Sequence, residues 1–265
     1  MCELFGVSSR LPTVVSFSLG RFAERGGLGG RTVDGWGLAY YEGRDLRLYR
    51  EPEPARDSAW LAFIQSRNIP SSLVISHIRH ATRGTVSLQN TQPFVREICG
   101  RMHCFAHNGK LAGIDNNLPF AGGAFTPMGE TDSEVAACAL FGRMAELWRT
   151  NAAPTPVQRL AVVTRFAAEL RTMGPANFLY SDGEQMFGHG HRRTQSDGTV
   201  APPGLWVLHR ECAVDPAALD ASGIRIGTSN GQQEVVFLAS VPLTDEPWRA
   251  LEEGEVVVIR SGDKA

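Results

Sequence analysis

A layered α+β domain is the fold class this sequence predicts, and three observations lead to it. Short apolar or alternating runs bounded by turn residues recur along the whole chain, as strands do. Apolar residues at helical spacing are confined to four segments, gathered in pairs. No composition break divides the 265 residues, because the Pro-rich run Asn151-Ala152-Ala153-Pro154-Thr155-Pro156 is only long enough to join two helices. Residues 1–265 are therefore expected to form one domain.

Taken in order, strands are expected over 3–8, 37–41, 46–50, 73–76, 102–106, 177–181, 185–188, 205–209, 224–228, 235–240 and 256–260. Glu42-Gly43-Arg44 and Asp182-Gly183 place turn residues between neighbouring strands, as hairpins require. Helices are expected over 14–25, 59–67, 133–149 and 157–172, the last two being long and well periodic. The segment Gly129-Glu130-Thr131-Asp132-Ser133-Glu134 precedes the third and reads as its N-terminus.

Composition narrows the function classes. With 43% hydrophobic residues and a formal charge of -2, the chain can bury a sizeable core and carries no basic stripe for nucleic acid. Arg192-Arg193 is too short a cluster to change that. No apolar run approaches the roughly 20 residues of a membrane span, and no signal-type segment opens the chain, so a cytoplasmic location is expected. The five cysteines, Cys2, Cys99, Cys104, Cys138 and Cys212, are odd in number and lack paired spacing, which argues against a disulfide framework or a structural zinc. Gly26-Gly27-Leu28-Gly29-Gly30 lacks the strand and helix that flank a phosphate loop. His189-Gly190-His191 lacks a supporting third ligand and reads as a loop. No metal and no other cofactor is expected.

Cys2 is the residue that points to chemistry. Removal of Met1 before so small a residue would leave a thiol and a free α-amine on one framework. The amine, with an unperturbed pKa of about 7.7–8.0, could take the thiol proton directly or through one water, which is a recognised way to activate a nucleophile. Two further segments place polar residues where an apolar strand runs into a loop: Ser76-His77-Ile78-Arg79-His80-Ala81-Thr82-Arg83-Gly84, and Cys104-Phe105-Ala106-His107-Asn108-Gly109-Lys110. Together with Met1-Cys2-Glu3-Leu4, Asp34-Gly35-Trp36-Gly37, Asn90-Thr91-Gln92-Pro93-Phe94 and the segment 129–134, they make the chain resemble the class II glutamine amidotransferases, and within them the stand-alone YafJ group. In the second half the likeness rests on 177–183 and 238–244.

The resemblance implies an N-terminal nucleophile (Ntn) hydrolase fold, a four-layer αββα sandwich. It also implies roles. Cys2 would attack the side-chain amide of glutamine to form a γ-glutamyl thioester, with the Asn108 side chain and the Gly109 N–H as oxyanion hole. Arg79 would clamp the α-carboxylate, helped by Thr82, and Asp132 would hold the α-ammonium. The residues alone leave alternatives: a tight turn for Asn108-Gly109, an ion pair for Arg79, a helix cap shared with Thr131 and Ser133 for Asp132. His107 is expected to pack or orient rather than act as a base. Asp34-Gly35-Trp36-Gly37 is either a wall of the nucleophile pocket or a turn with a buried indole. Two departures from the family pattern are Gln92, where many members carry histidine, and His80 in place of the tryptophan of synthase-linked members.

Three functions fit. One is a glutaminase that releases ammonia or delivers it to a separate acceptor protein. Another is a stand-alone hydrolase of a γ-glutamyl amide or peptide. The third is a module that binds glutamine or glutamate without turnover, which would have no need of Cys2, Asn108 and Gly109.

Overall fold

A computed structural model describes residues 2–17, 34–117, 120, 123–151, 153–212, 224–227, 233–260 and 263–264. The first half runs β1 (Glu3–Phe17), β2 (Gly35–Glu42), β3 (Asp45–Glu51), α1 (Ala59–Ser66), β4 (Pro70–Arg79), β5 (Phe94–Ile98) and β6 (Arg101–Gly109). Two long helices follow, α2 (Asp132–Thr150) and α3 (Pro156–Arg171), then β7 (Ala176–Ser181) and β8 (Met186–His189). The rest is β9 (Arg193–Thr194), β10 (Val200–Ala201), β11 (Trp206–Cys212), β12 (Ile224–Gly227), β13 (Gln233–Ala239), β14 (Arg249–Ala250), β15 (Val256–Arg260) and β16 (Asp263–Lys264).

One sheet has the order β14-β11-β13-β1-β4-β2-β3, with β12 also on β1; the second has the order β16-β15-β8-β7-β6-β5. Side chains alternate across each sheet, and this sorts the core into three bodies. Leu4, Ala39 and Ile75 from the first sheet meet Ala106, Leu179 and Ile259 from the second between the two. Phe5, Trp36 and Ile78 turn the other way and pack with Leu61 and Ile64 of α1. Phe105, Phe178 and Phe187 on the far face of the second sheet pack under Leu140, Phe141 and Met144 of α2 and Phe166 and Leu170 of α3. Helix, sheet, sheet and helices stack as the αββα sandwich that the resemblance implied.

Local chemistry starts the helices where the sequence places them. Ser58 accepts the Leu61 N–H at α1, Thr131 accepts the Glu134 N–H at α2, and Thr155 with Gln158 forms a reciprocal capping box at α3, with proline next. The β2–β3 hairpin turns at Gly43, whose φ of 66 suits a residue without Cβ.

The helix expected over 14–25 is corrected. Residues Val14 to Phe17 continue β1, because their backbone pairs with Ile224–Gly227 while Thr13 and Val14 pair with Ser71 and Pro70. Two flanking partners outweigh a helical spacing of apolar residues, and β-branched Thr13 and Val14 suit a strand. The remainder of that segment and the run Gly26–Gly30 lie outside the described residues. Strand β5 was not anticipated; it pairs with β6 from Phe94↔Phe105 to Ile98↔Arg101, and its sequence Phe-Val-Arg-Glu-Ile alternates too weakly to stand out.

Among the buried histidines, burial lowers His77, His103 and His189 to about 3, 4 and 3 respectively. Unfolding returns each to about 6.5, so below that pH the unfolded chain binds more protons and stability falls as pH drops toward 3–4. At pH 5 each histidine costs about 2 kcal/mol. Glu3 acts in the opposite sense: burial raises it to about 7, so it favours the folded state at acid pH and loses that contribution as pH rises through 7. Three groups outweigh one, and the midpoint of urea unfolding is expected to be lower at pH 5 than at pH 7. Equal midpoints would contradict this account of the core.

Candidate active site

Strand alternation and register bring the polar residues together. On β1, Leu4 points between the sheets and Phe5 away, so Cys2 shares the inward face. Antiparallel β1 and β4 pair Glu3 with Ile78 and Leu4 with His77; one step further sets Cys2 against Arg79. On β6, Cys104 and Ala106 point inward, and Asn108 follows in the same phase, opposite Asn177 of β7. The two sheets are joined here by a direct bond, in which the Asn108 side-chain amide donates to the Cys2 carbonyl at 2.6 Å.

A cavity of about 550 Å³ opens at this end of the sandwich. Cys2, His80, Thr82, Asn108 and Gly109 form one part of its wall. The Cys2 thiol accepts from the His80 N–H at 3.2 Å and lies 3.4 Å from the His80 carbonyl oxygen. Burial pushes that thiol up to about 11, against the opposing pull of the His80 hydrogen bond and the Arg79 charge. Arg79 is 3% exposed; its Nη2 donates to the carbonyls of Arg83 and Gly84, while its Nη1 is buried without a protein partner. Burial lowers its pKa, with Cys2 and Asp34 acting in the other direction.

Asp132 is not on the cavity wall. It is the first residue of α2, where its Oδ2 accepts the Leu111 N–H at 2.7 Å and its Oδ1 the Ser133 N–H at 2.9 Å. Thr131 is the N-cap residue, accepting the Glu134 N–H. Gly109 is explained from behind: a Cβ there would overlap the carbonyl of Pro175, which accepts the Lys110 N–H at 3.2 Å. Asn108-Gly109 therefore ends a strand and is not a tight turn.

Several motif residues prove to be supports. Gln92 takes the His107 N–H on its Oε1 at 2.6 Å and gives its Nε2 to the His107 carbonyl at 3.1 Å, so it grips β6 one residue before Asn108. This needs an acceptor and a donor on one group and no titration, which accounts for glutamine at this position. His107 itself is buried, lowered by burial, and 2.9 Å from the Ser133 hydroxyl, a packing and orienting place. Asn90 donates to the Thr85 carbonyl and accepts from the Glu130 N–H, tying the loop after β4 to the start of α2. Asp34 accepts the Ala81 N–H at 2.6 Å, and Trp36 is a buried indole whose N–H meets Glu51. The Asp34–Gly37 segment thus props the Arg79–Thr82 loop.

Some residues of the site carried no sequence role. Glu3, next to Cys2, forms a buried ion pair with Arg193 at 2.8 Å, and Arg193 also donates to the Ser240 carbonyl. Ser240 in turn accepts the Leu4 N–H. Asn177 donates to the carbonyls of Asn108 and Arg192 and accepts from the His191 N–H. Glu3, Asn177 and Ser240 were marked in the sequence by membership in family-like segments, and Arg193 only by the Arg192-Arg193 cluster, since a buried bracket has no spacing of its own. His189 lies on β8 rather than in a loop, with Nδ1 at the Ala176 carbonyl and Nε2 near Arg171. Among the described residues no group of three or more His, Cys, Asp or Glu could hold a metal ion, and no helix is long and apolar enough to cross a membrane.

A family model described as glutamine amidotransferases class-II matches residues 1–265. The chain belongs to this family. It is 35% identical over 260 residues to the "Putative glutamine amidotransferase YafJ" of Escherichia coli K12, covering 96% of each. It is 32% identical over 156 residues to an amidophosphoribosyltransferase of Methanocaldococcus jannaschii, which spans 57% of this chain and 31% of that protein. Among solved structures, a predicted glutamine amidotransferase from Pseudomonas aeruginosa PA01 superposes with TM-score 0.73 at 34% identity over 99% of both chains. The glutamine phosphoribosylpyrophosphate amidotransferase of B. subtilis aligns with TM-score 0.56 at 17% identity, over 100% of this chain and 48% of that one, and shares the fold. This class II glutamine amidotransferase is accordingly an enzyme of the Ntn type, and hydrolysis of the glutamine side-chain amide is the chemistry of its family.

Asn177→Ala would strand two carbonyls and one N–H in the interior. A destabilisation of about 2–4 kcal/mol is expected, with turnover reduced because the Asn108 backbone loses its anchor. Thermal melting and steady-state kinetics check both.

Proposed function

We propose that the protein hydrolyses glutamine through a Cys2 γ-glutamyl thioester and releases ammonia. The observation that carries this reading is the wall shared by Cys2, Thr82, Asn108 and Gly109, with Arg79 in register beside the thiol. The Cys2 sulfur attacks the amide carbon, and its proton passes to the α-amine of Cys2. The oxyanion that forms is met by the Asn108 side-chain amide and the Gly109 N–H. Collapse breaks the C–N bond, the amine returns the proton, and ammonia leaves. Water then cleaves the thioester, giving glutamate and the thiol.

Arg79 binds the α-carboxylate through the nitrogen it does not spend on Arg83 and Gly84. Asp132 takes the α-ammonium, exchanging a backbone N–H for a charged donor. Thr82 contributes its hydroxyl at the cavity wall. A separate acceptor protein is the partner to which the ammonia is available.

A thiol at about 11 is almost wholly protonated at neutral pH, so the base is essential. The working enzyme begins at Cys2, since an amide nitrogen after Met1 cannot accept a proton. Alkylation of Cys2 in a form that retains Met1 is expected to be slow at pH 7 and to rise about tenfold per pH unit until near 11. The form beginning at Cys2 is expected to react near neutral pH and to be labelled by a diazo-ketone analogue of glutamine. Full glutaminase turnover by protein whose intact mass includes Met1 would refute the assignment.

Substitutions separate binding from chemistry. Arg79→Lys replaces a planar fork by a point charge and is expected to raise KM strongly. Asn108→Ala removes a bond made mainly in the transition state, lowering kcat about 100-fold to 1,000-fold with KM little changed. Cys2→Ala is expected to bind glutamine without turnover. Retained turnover in Cys2→Ala, or unchanged kinetics in the other two, would count against the respective roles.

A further inference from the structure

The segment that leads into β5 makes contacts with both sheets. The β5–β6 ladder runs out at Phe94↔Phe105, and the same antiparallel count would set Gln92 against His107. The main chain turns away before that pair forms, leaving the His107 N–H and carbonyl on the edge of β6 without a strand. The Gln92 side chain takes the place of the missing pair, with Oε1 on the N–H at 2.6 Å and Nε2 on the carbonyl at 3.1 Å. Both residues are buried, so without this amide two backbone groups would stay unmet.

The backbone of the same segment is held by the first sheet. Gly37 of β2 is in phase with Ala39, which faces the second sheet, and a Cβ on Gly37 would overlap the Gln92 carbonyl. Arg50, the partner of Gly37 across β2 and β3, donates its Nη1 to the Thr91 carbonyl at 2.7 Å. One residue thus spans the gap, with its main chain against β2 and its side chain on β6. Gly37 pairs with His77 and His77 with Leu4, in the row next to Glu3 and Cys2. His107 likewise precedes Asn108. Two links between the sheets therefore run side by side, Gln92 and the bond from Asn108 to the Cys2 carbonyl. Asn108 must hold Cys2 and meet an oxyanion with one amide, whereas Gln92 is off the cavity wall and free of any chemical duty.

We propose that Gln92 is a positioning residue for the oxyanion donors: by fixing the spacing of the two sheets beside the site, it sets the Asn108 amide and the Gly109 N–H against Cys2. The inference rests on the thioester reading above. The oxyanion exists only along the reaction path, so a misplaced donor costs turnover and leaves substrate binding through Arg79 and Asp132 intact.

Gln92→Met keeps the length and removes both bonds. In the full chain beginning at Cys2, kcat for glutamine is expected to fall about 10-fold to 100-fold, the scale of a catalytic group misplaced by about 1 Å, with KM little changed. Combined with Asn108→Ala, it is expected to cost much less than the product of the two single losses, because both act through one donor. Losses that multiply in full, or a raised KM with kcat unchanged, would overturn the proposal.

Gln92→Glu covers the case in which Gln92→Met fails to fold. Its protonated carboxyl offers the same acceptor and donor, and its ionised form has nothing to donate to the His107 carbonyl. Arg50 from β3 is the charged group beside it, with Glu134 and Arg96 acting on Arg50; His77 from β4 and His107 from β6 are lowered by burial, and Asp132 of α2 acts on His107. Its kcat, relative to the unsubstituted chain, is expected to fall as pH rises from about 5 to about 9, the span open to a buried carboxyl. A level ratio would overturn the proposal. The side-chain amide resonance of Asn108, identified by its loss in Asn108→Ala, is expected to move with the same titration, and a fixed resonance would overturn the proposal as well. If the unsubstituted chain does not turn over glutamine, the thioester reading fails by itself, and the Asn108 resonance alone decides the positioning.

Discussion

The hydrogen bond from the Asn108 amide to the Cys2 carbonyl spans the gap between the two sheets, and the geometry of the site depends on it. Each end is held from behind. Asn177 fixes the Asn108 carbonyl, Gln92 grips both polar groups of the His107 backbone, and the Pro175 carbonyl presses so close to Gly109 that no side chain fits. On the other sheet, Ser240 holds Leu4 and the Glu3–Arg193 pair secures the residue beside Cys2. Few of these groups touch the cavity. They make the position of those that do a property of two rigid sheets, which is more precise than a site built on loops.

Burial has opposite consequences for different groups near the site. It raises the Cys2 thiol and Glu3 and lowers His77 and His107, in each case because the charged form loses water. A neutral His77 and a protonated thiol are the resting condition that follows. Neither His77 nor His107 is therefore suited to accept the Cys2 proton, and the α-amine proposed as base answers a need that the enclosure itself creates.

Much of the site was legible in the linear chain, for physical reasons. Cys2 at the start, Asn108-Gly109 at a strand end and Arg79 at another are polar residues just beyond apolar runs, where strands leave a core. What the chain alone left open was the division of labour. Thr131, Asp132 and Ser133 all suit a helix start, and only the structure shows Thr131 as the cap with Asp132 turned toward Leu111. Gln92 looked like a lost histidine and is a backbone clamp. Asn108-Gly109 could have been a tight turn and is a strand end, where the Pro175 carbonyl leaves no room for a Cβ at Gly109.

The amino-acid sequence by itself determined the type of most elements, since strand alternation, helix periodicity and capping residues act over a few neighbours. It also determined which residue types stand where strands leave the core, Cys2, Arg79, Asn108 and Gly109 among them. Tertiary structure decided the rest. Pairing with β12 and β4 made residues 14 to 17 a strand against their helical spacing, and partners that stabilise a backbone from so far along the chain leave no local mark. Register set Cys2 beside Arg79, and the stacking of two sheets brought Asn108 to Cys2 across 106 residues. Those relations depend on which strand lies next to which, and that order is settled by burial of the whole core.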